Sequence, residues 1–241
     1  MSNFLLVTPR QGDEIIAAEY ADFLGATGLK PEQLIQYVID SADVELGDIS
    51  KFTGILMGGS PLNMTDPEHC DWQLNVNNIL VSFLDSPVPV FSMCYGGGPL
   101  AVARGGAVGN THPEQAGPTI VELCAEAAAD PLFSQLPPRF DAFTGHNENV
   151  TKIGEGAVLL ATGPTCPVQA VRFGDHIWAT QFHPEIDAKG LAIRMNFYRG
   201  HGYFSEAEYE DIVASLDGVD TSHARKLMRA FVEYATAKSL A

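Results

Sequence analysis

The sequence predicts an α/β fold organised around a doubly wound, mostly parallel sheet. Through residue 104, short β-branched or apolar runs alternate with segments of helical spacing, the order that gives a parallel sheet covered on both faces. From residue 119 onward the helical spacing gives way to short strands separated by turn clusters, which extends the sheet with antiparallel strands into a mixed one. After Tyr198 two further helices are expected.

Phe4–Thr8 reads as a buried first strand, and Glu14–Leu24, with apolar residues spaced near 3.6, as a helix. Gln33–Val38 is a second strand. Ile55–Met57 is a third, running into the turn Gly58-Gly59-Ser60-Pro61. Trp72–Leu84 carries apolar residues at 72, 76, 79, 80, 83 and 84 and reads as a helix. Val88–Phe91 is a buried strand, and Gly97–Arg104 is the next helix, closed by Gly105-Gly106. Thr119–Leu123, Arg139–Phe143, Thr151–Ile153, Ala157–Thr162, Pro167–Phe173 and His176–Gln181 have the length and composition of strands, the last two as a hairpin. Ser205-Glu206-Ala207-Glu208 matches a capping box. A last helix begins near Thr221 or Ser222, with Ala224, Leu227, Met228, Phe231, Val232 and Ala235 on one stripe. The expected organisation is one domain over residues 1–200 with a C-terminal helical extension, 201–241, packed on it; a partner-docking role is the sharper alternative for that extension.

Composition bounds the function. The 241 residues carry 14 Lys+Arg against 30 Asp+Glu, a formal charge of −16, which argues against a nucleic-acid partner. Apolar residues make up 46% and charged residues 18%, a globular composition. The uncharged window Ser86–Ala103 holds three prolines and three glycines and reads as strand, turn and helix, so no membrane partner is expected. The start, MSNFLLVTPRQGDE, shows no secretory signal, and Cys70, Cys94, Cys124 and Cys166 form no CxxC pair. A cytoplasmic setting follows as the expectation. There is no P-loop and no dinucleotide fingerprint after the first strand, so no cofactor and no metal is expected. The polar loop residues Asp66, Glu68, His69 and Asp71 read as solvated.

Two segments carry chemistry. In Val88–Gly98 a buried strand ends at Cys94, glycines follow, and a helix begins. A nucleophile on such a strand-to-helix turn is held above the sheet edge, where the helix N-terminus favours thiolate and neighbouring negative charge. A buried structural cysteine is the plain alternative. In His176–Glu185 a strand leads into His183-Pro184-Glu185. Pro184 biases His183 toward extended backbone, which puts Glu185 on the same side as the imidazole. That is a base with its orienting carboxylate; a solvated turn is the alternative. The same tripeptide recurs as His112-Pro113-Glu114, but no strand is expected to deliver it, and it reads as a loop.

Cys94-Tyr95-Gly96, the Gly58–Pro61 turn, His146 in Thr144-Gly145-His146-Asn147, and Gln181-Phe182-His183-Pro184-Glu185 occur in the order seen in class I glutamine amidotransferases, and residues 50–198 resemble that family, most closely its stand-alone, GMP-synthase-like members. The resemblance implies a flavodoxin-like, three-layer domain with a Cys94-His183-Glu185 triad. Cys94 would attack the glutamine side-chain amide to give a γ-glutamyl thioester and ammonia, His183 would carry the proton, and Glu185 would orient His183. Tyr95 and Gly59 would offer main-chain N–H groups to the oxyanion, and Gly58, Gly98, Gly145 and His146 match positions around the substrate. The implied partners are glutamine or another γ-glutamyl compound and a separate synthetase that accepts ammonia. Two residues depart from the usual G-x-C-x-G-x-Q pattern: Ser92 stands for its first Gly and Gly98 for its Gln. The loss of that Gln opens two alternatives, a γ-glutamyl hydrolase acting on other amides and a catalytically silent binding module.

Overall fold

A computed structural model describes residues 2–199 and 206–240. Strands β1 (Phe4–Thr8), β2 (Leu34–Val38), β3 (Gly54–Met57), β4 (Val90–Met93), β6 (Glu114–Leu123), β7 (Arg139–His146), β9 (Ala157–Thr162), β10 (Ala170–Phe173) and β11 (Ile177–Thr180) form one sheet in the order β2-β1-β3-β4-β11-β10-β9-β6-β7. The first five in that order are mutually parallel. The β11–β10–β9–β6–β7 run is antiparallel. A separate ribbon pairs β5 (Ala107–Gly109) with β8 (Asn149–Lys152).

Alternation along the strands makes three layers, because successive side chains leave a strand on opposite faces. From β1, Phe4 and Leu6 enter one core with helices α1 (Asp13–Thr27) and α6 (Ser222–Ser239). Leu5 and Val7 enter the other, with α2 (Asp71–Ser82) and α3 (Gly97–Ala103). The stripe read on α6 is seated in the first core: Phe231 makes edge contacts with Phe4, Phe91 and Trp178. Burying a side chain of that kind contributes about 1.5–3 kcal/mol. A third cluster joins Phe143, Ile186, Leu191 and Met195 to Ile212 and Leu216, and so ties α4 (Ala188–Phe197) to the last turns of α5 (Glu206–Ser215). No helix among the described residues is long and apolar enough to cross a membrane.

Besides shifted bounds at β7, β8 and β10, the structure differs from the sequence reading as follows. The fourth parallel strand runs Val90–Met93 rather than Val88–Phe91; Pro89 cannot donate to a ladder and serves through its carbonyl, which accepts from Ile55. β6 begins five residues earlier than expected, at Glu114. Helix α4 and strand β5 have no counterpart in the sequence reading. Ser205, first residue of the expected capping box, lies outside the described residues.

Candidate active site

In a doubly wound sheet, ligands gather at the carboxyl ends of the parallel strands. Four adjacent strands deliver residues there. Arg10 follows β1, Gly58-Gly59 follows β3, Cys94 follows β4, and Gln181-Phe182-His183 follows β11. Arg10, Gly59, Cys94 and His183 line one cavity of about 440 Å³ together with Gly145 and His146.

Cys94 is the only non-glycine with positive φ among the described residues, at 51°. That left-handed conformation costs a β-carbon residue on the order of 1–3 kcal/mol and is what lifts a nucleophile off the end of its strand. Gly96 makes the turn possible, since a β-carbon there would lie 2.7 Å from both Cβ and Oγ of Ser92. The Ser92 side chain thus occupies space that the turn glycine leaves empty. Cys94 is half-buried and reaches the cavity, so its sulfur is not sealed in the core. Burial pushes its thiol up to about 12, against which the nearby Arg10 guanidinium acts to hold it down. The Gln181 amide donates to the sulfur over 3.8 Å.

His183 is brought to the same place by a backbone bond from its N–H to the Phe143 carbonyl on β7, 2.8 Å long. A β-carbon at Gly59 would lie 3.0 Å from His183 Cε1 and 3.7 Å from Cys94 Cβ, so the imidazole and the cysteine flank one point in the cavity wall. The ring's Nδ1 lies 2.8 Å from Glu185 Oε1. With Nδ1 donating to the carboxylate, Nε2 remains as the acceptor. Arg194 of α4 stands behind the pair, 3.2 Å from Glu185 Oε1, and reaches Asp22 Oδ2 at 3.3 Å. Burial opposes the Glu185 charge, but His183 and Arg194 outweigh it and hold the carboxyl at about 2. Burial lowers the His183 pKa, with Arg194 and Arg10 adding to that and Glu185 opposing it.

The double glycine of the Gly58–Pro61 turn has a packing reason. A β-carbon on Gly58 would lie 2.4 Å from Glu19 Oε2, and one on Gly59 would lie 3.2 Å from Arg10 Nη2. Glu19 is fully buried and holds Arg10 through a 2.7 Å bond to Nε; Arg10 Nη1 donates to the Tyr198 hydroxyl. Burial works against the Arg10 charge, and Glu19 together with Tyr198 more than restores it. Sequence reading assigned no role to Arg10, Gln181 or Arg194. The first two were visible in principle, as polar residues next to a strand's carboxyl end.

The remaining residues singled out from sequence fall around a second, narrower cleft that shares Cys94, Gly145 and His146 with the first and adds Tyr95 and Gly98. The Tyr95 side chain points away into packing, its hydroxyl donating to Asn77 Oδ1 at 2.6 Å. The space beside Gly98 is taken: a β-carbon there would meet Met64 Cγ at 3.1 Å and Val108 Cγ2 at 3.3 Å. Glu148 fixes that loop by accepting from the N–H groups of Met64 and Thr65 at 2.8 and 2.9 Å.

The His112-Pro113-Glu114 segment is not the plain loop expected. Glu114 starts β6, is buried, and accepts from His146 Nε2 at 2.9 Å, from Gln169 at 2.9 Å, from Thr119 at 2.7 Å and from Thr165. Burial alone would raise its pKa; those donors bring it down to about 2. Cys166 is a buried packing residue, yet its sulfur lies with Glu114 and His146 in a group whose ligand atoms are all within 4.8 Å. The carboxylate's lone pairs there are already spoken for by protein donors, which disfavours a cation as an added partner.

The family described as Glutamine amidotransferase class-I matches residues 30–198. The GMP synthase [glutamine-hydrolyzing] of Actinobacillus succinogenes is 32% identical over 173 residues, 64% of this chain and 30% of that protein. The enzyme of the same name from Vibrio cholerae serotype O1 is 31% identical over 186 residues, 73% of this chain and 34% of that protein. The chain thus spans about a third of the length of these curated relatives. Among solved structures, a glutamine amidotransferase from Thermotoga maritima superposes with a TM-score of 0.78 at 15% identity, covering 98% of this chain and 99% of that one. A glutamine amidotransferase from Methylobacillus flagellatus gives 0.72 at 19% identity, covering 97% and 95%. At such identities these likenesses speak for the fold alone.

Proposed function

This chain belongs to the class I glutamine amidotransferase family, and from that premise we propose that it hydrolyses the side-chain amide of glutamine through a Cys94-His183-Glu185 triad. The observation that carries the reading is the convergence of a strained, cavity-facing Cys94 and the Glu185-bound imidazole of His183 on one point beside Gly59.

With a thiol held near 12 and a histidine pKa below its ordinary value, the resting pair is neutral. His183 Nε2 takes the thiol proton as the sulfur attacks the amide carbon, and Glu185 with Nδ1 steadies the imidazolium so formed. Main-chain N–H groups of Tyr95 and Gly59 meet the oxyanion, each such donor being worth about 10²–10³ in rate. The Arg10 guanidinium and the Gln181 amide favour the sulfur while it is negative. His183 returns the proton to the leaving nitrogen. The γ-glutamyl thioester is then cleaved by water, giving glutamate and the free thiol. In the narrow cleft Gly98, Gly145 and His146 border the substrate, while Gly58, packed against Glu19, shapes the turn that presents Gly59.

Residues 1–200 form the amidotransferase-like domain in this reading and 201–241 its helical extension. In this reading the ammonia serves a synthetase-type acceptor, which the likeness to GMP synthases [glutamine-hydrolyzing] supports. A cytoplasmic setting suits four free cysteines. Ammonia release from glutamine is the test. Cys94→Ala lowers it by about 10⁴-fold or more; unchanged release in that variant would refute the assignment.

A further inference from the structure

The guanidinium behind the imidazole is divided between two carboxylates. Arg194 Nη1 lies 3.2 Å from Glu185 Oε1, and Nη2 lies 3.3 Å from Asp22 Oδ2. Glu185 Oε1 therefore accepts from both His183 Nδ1, at 2.8 Å, and the guanidinium. Its other oxygen, Oε2, is buried and unpartnered among the described residues, and so is Arg194 Nε. An arginine that meets a single carboxylate closes on it with two parallel bonds, the stronger arrangement. Here a donor and an acceptor on facing groups stay unmatched, and the group that draws the guanidinium aside is Asp22.

Packing puts Asp22 in that place. It sits on α1, which packs against α4, and it meets that helix where a β-carbon on Gly190 would lie 2.5 Å from its Oδ1. Three further groups act on it, Glu19 of its own helix and Glu185 and Asp187 ahead of α4, and all three are negative; Arg194 is the cation that sustains its charge. Arg225 of α6 faces the same region, 3.9 Å from Asp187 Oδ2 and bonded to the Glu185 carbonyl at 2.8 Å. Burial pushes the Asp22 carboxyl up to about 7, with Arg194 holding it down against a larger rise.

Resting on the catalytic reading above, we propose that Asp22 is a positioning residue for the base: by holding one end of Arg194 it keeps the guanidinium from closing on Glu185 and leaves that carboxylate to His183. With Asp22 neutral, Arg194 closes on Glu185 through Nε and Nη1, and the bond from His183 to Glu185 weakens. The imidazolium formed on deprotonation of the thiol then faces an undivided positive charge. Both effects slow proton transfer and lower the ring's pKa.

The test compares the unaltered chain with Asp22→Asn, Arg194→Met and the two combined. Glutamine hydrolysis is measured at pH 8, about one unit above the value at which Asp22 ionises. Asp22→Asn is expected to lower kcat about fivefold and to leave KM within about twofold, well short of the loss from neutralising an orienting carboxylate itself. Added to Arg194→Met it has no effect, since no guanidinium is left to hold. As pH falls, kcat of the unaltered chain drops by the same factor near pH 7, a partial step ahead of the His183 limb, and Asp22→Asn lacks that step. The His183 ring pKa, followed by NMR and assigned by the signal lost in His183→Ala, moves down in Asp22→Asn and up in Arg194→Met. Asp22→Ser, which also removes the charge, takes the place of Asp22→Asn if the amide variant does not fold. A kcat equal to that of the unaltered chain, or a loss that persists in full on top of Arg194→Met, overturns the proposal and leaves the triad standing. No ammonia release from any of these proteins, the unaltered chain included, overturns the catalytic reading. The ring pKa then still decides on Asp22: a downward shift in Asp22→Asn upholds its hold on the pair, and an unmoved ring refutes it.

Discussion

Two histidine–carboxylate pairs face the same cavity, and each takes its carboxylate from a His-Pro-Glu tripeptide. Glu185 binds the histidine of its own tripeptide, His183, at Nδ1, whereas Glu114 binds His146, 32 residues away, at Nε2. Behind Glu185 stands a cation, Arg194, with Asp22 beyond it. Around Glu114 stand neutral donors: Thr119, Thr165 and Gln169. A carboxylate with few neutral donors gains from protonation of the ring beside it, so the first pair suits the proton-accepting role proposed for it. One whose lone pairs are filled by hydroxyl and amide groups is a structural anchor, so the second pair fixes a ring in place. The tripeptide itself decides neither; the strand that delivers it and the groups that meet its carboxylate do.

Neutralising the two carboxylates separates the roles most widely. Glu185→Gln leaves the site's shape and favours the wrong ring tautomer, and a loss of about 10³–10⁴ in kcat for glutamine is expected. Glu114→Gln is expected to keep kcat within about tenfold while lowering stability by about 1–3 kcal/mol in chemical denaturation, since a buried amide replaces an acceptor with a competing donor. Equal losses of kcat would abolish the distinction.

Removing the cation sharpens it. In the proposed mechanism His183 must be neutral to accept a proton, so the rate is expected to fall as pH drops through its pKa. Burial, with Arg194 adding, sets that pKa below 6.5. The acid limb of kcat/KM therefore lies below pH 6.5 in the unaltered protein and moves upward in Arg194→Met. A limb that stays in place or moves down would mean that Arg194 does not act on the ring.

The smallest effect belongs to the anchor. Thr119→Val deletes one donor to Glu114 and costs about 1 kcal/mol of stability, read from the denaturant midpoint, with ammonia release unchanged.

The parallel half of the fold was legible because its strands are short apolar runs bounded by glycine and proline, as in Ile55–Met57 before Gly58-Gly59. Helix α4 was not. It follows directly on His183-Pro184-Glu185, carries Gly190 where a β-carbon would lie 2.5 Å from Asp22 Oδ1, and turns Arg194 inward. Each of these features belongs to tertiary contacts and blurs an apolar stripe. β5 is three residues long and exists through its pairing with β8. In the proposed site, Cys94, His183 and Glu185 stand out in the sequence as local patterns, a strand ending in glycines and a carboxylate two residues from an imidazole. Glu114 was not, because its partners lie at 119, 146, 165 and 169, and because Gly117 and Pro118 disguise the strand it begins. Arg194 escaped for the same reason, its partners Asp22 and Glu185 becoming neighbours through packing of α1 and α4, whereas Arg10 was marked by its place after β1 and only its pairing with Glu19 was hidden.

The most direct measurement is intact-mass labelling with a diazoketone analogue of glutamine, followed by peptide mapping and repeated in His183→Ala and Glu114→Gln. A single adduct on Cys94, formed at least a hundredfold more slowly in His183→Ala and at the unaltered rate in Glu114→Gln, is the predicted result. Label on Cys166, or a Cys94 rate indifferent to His183, would contradict it.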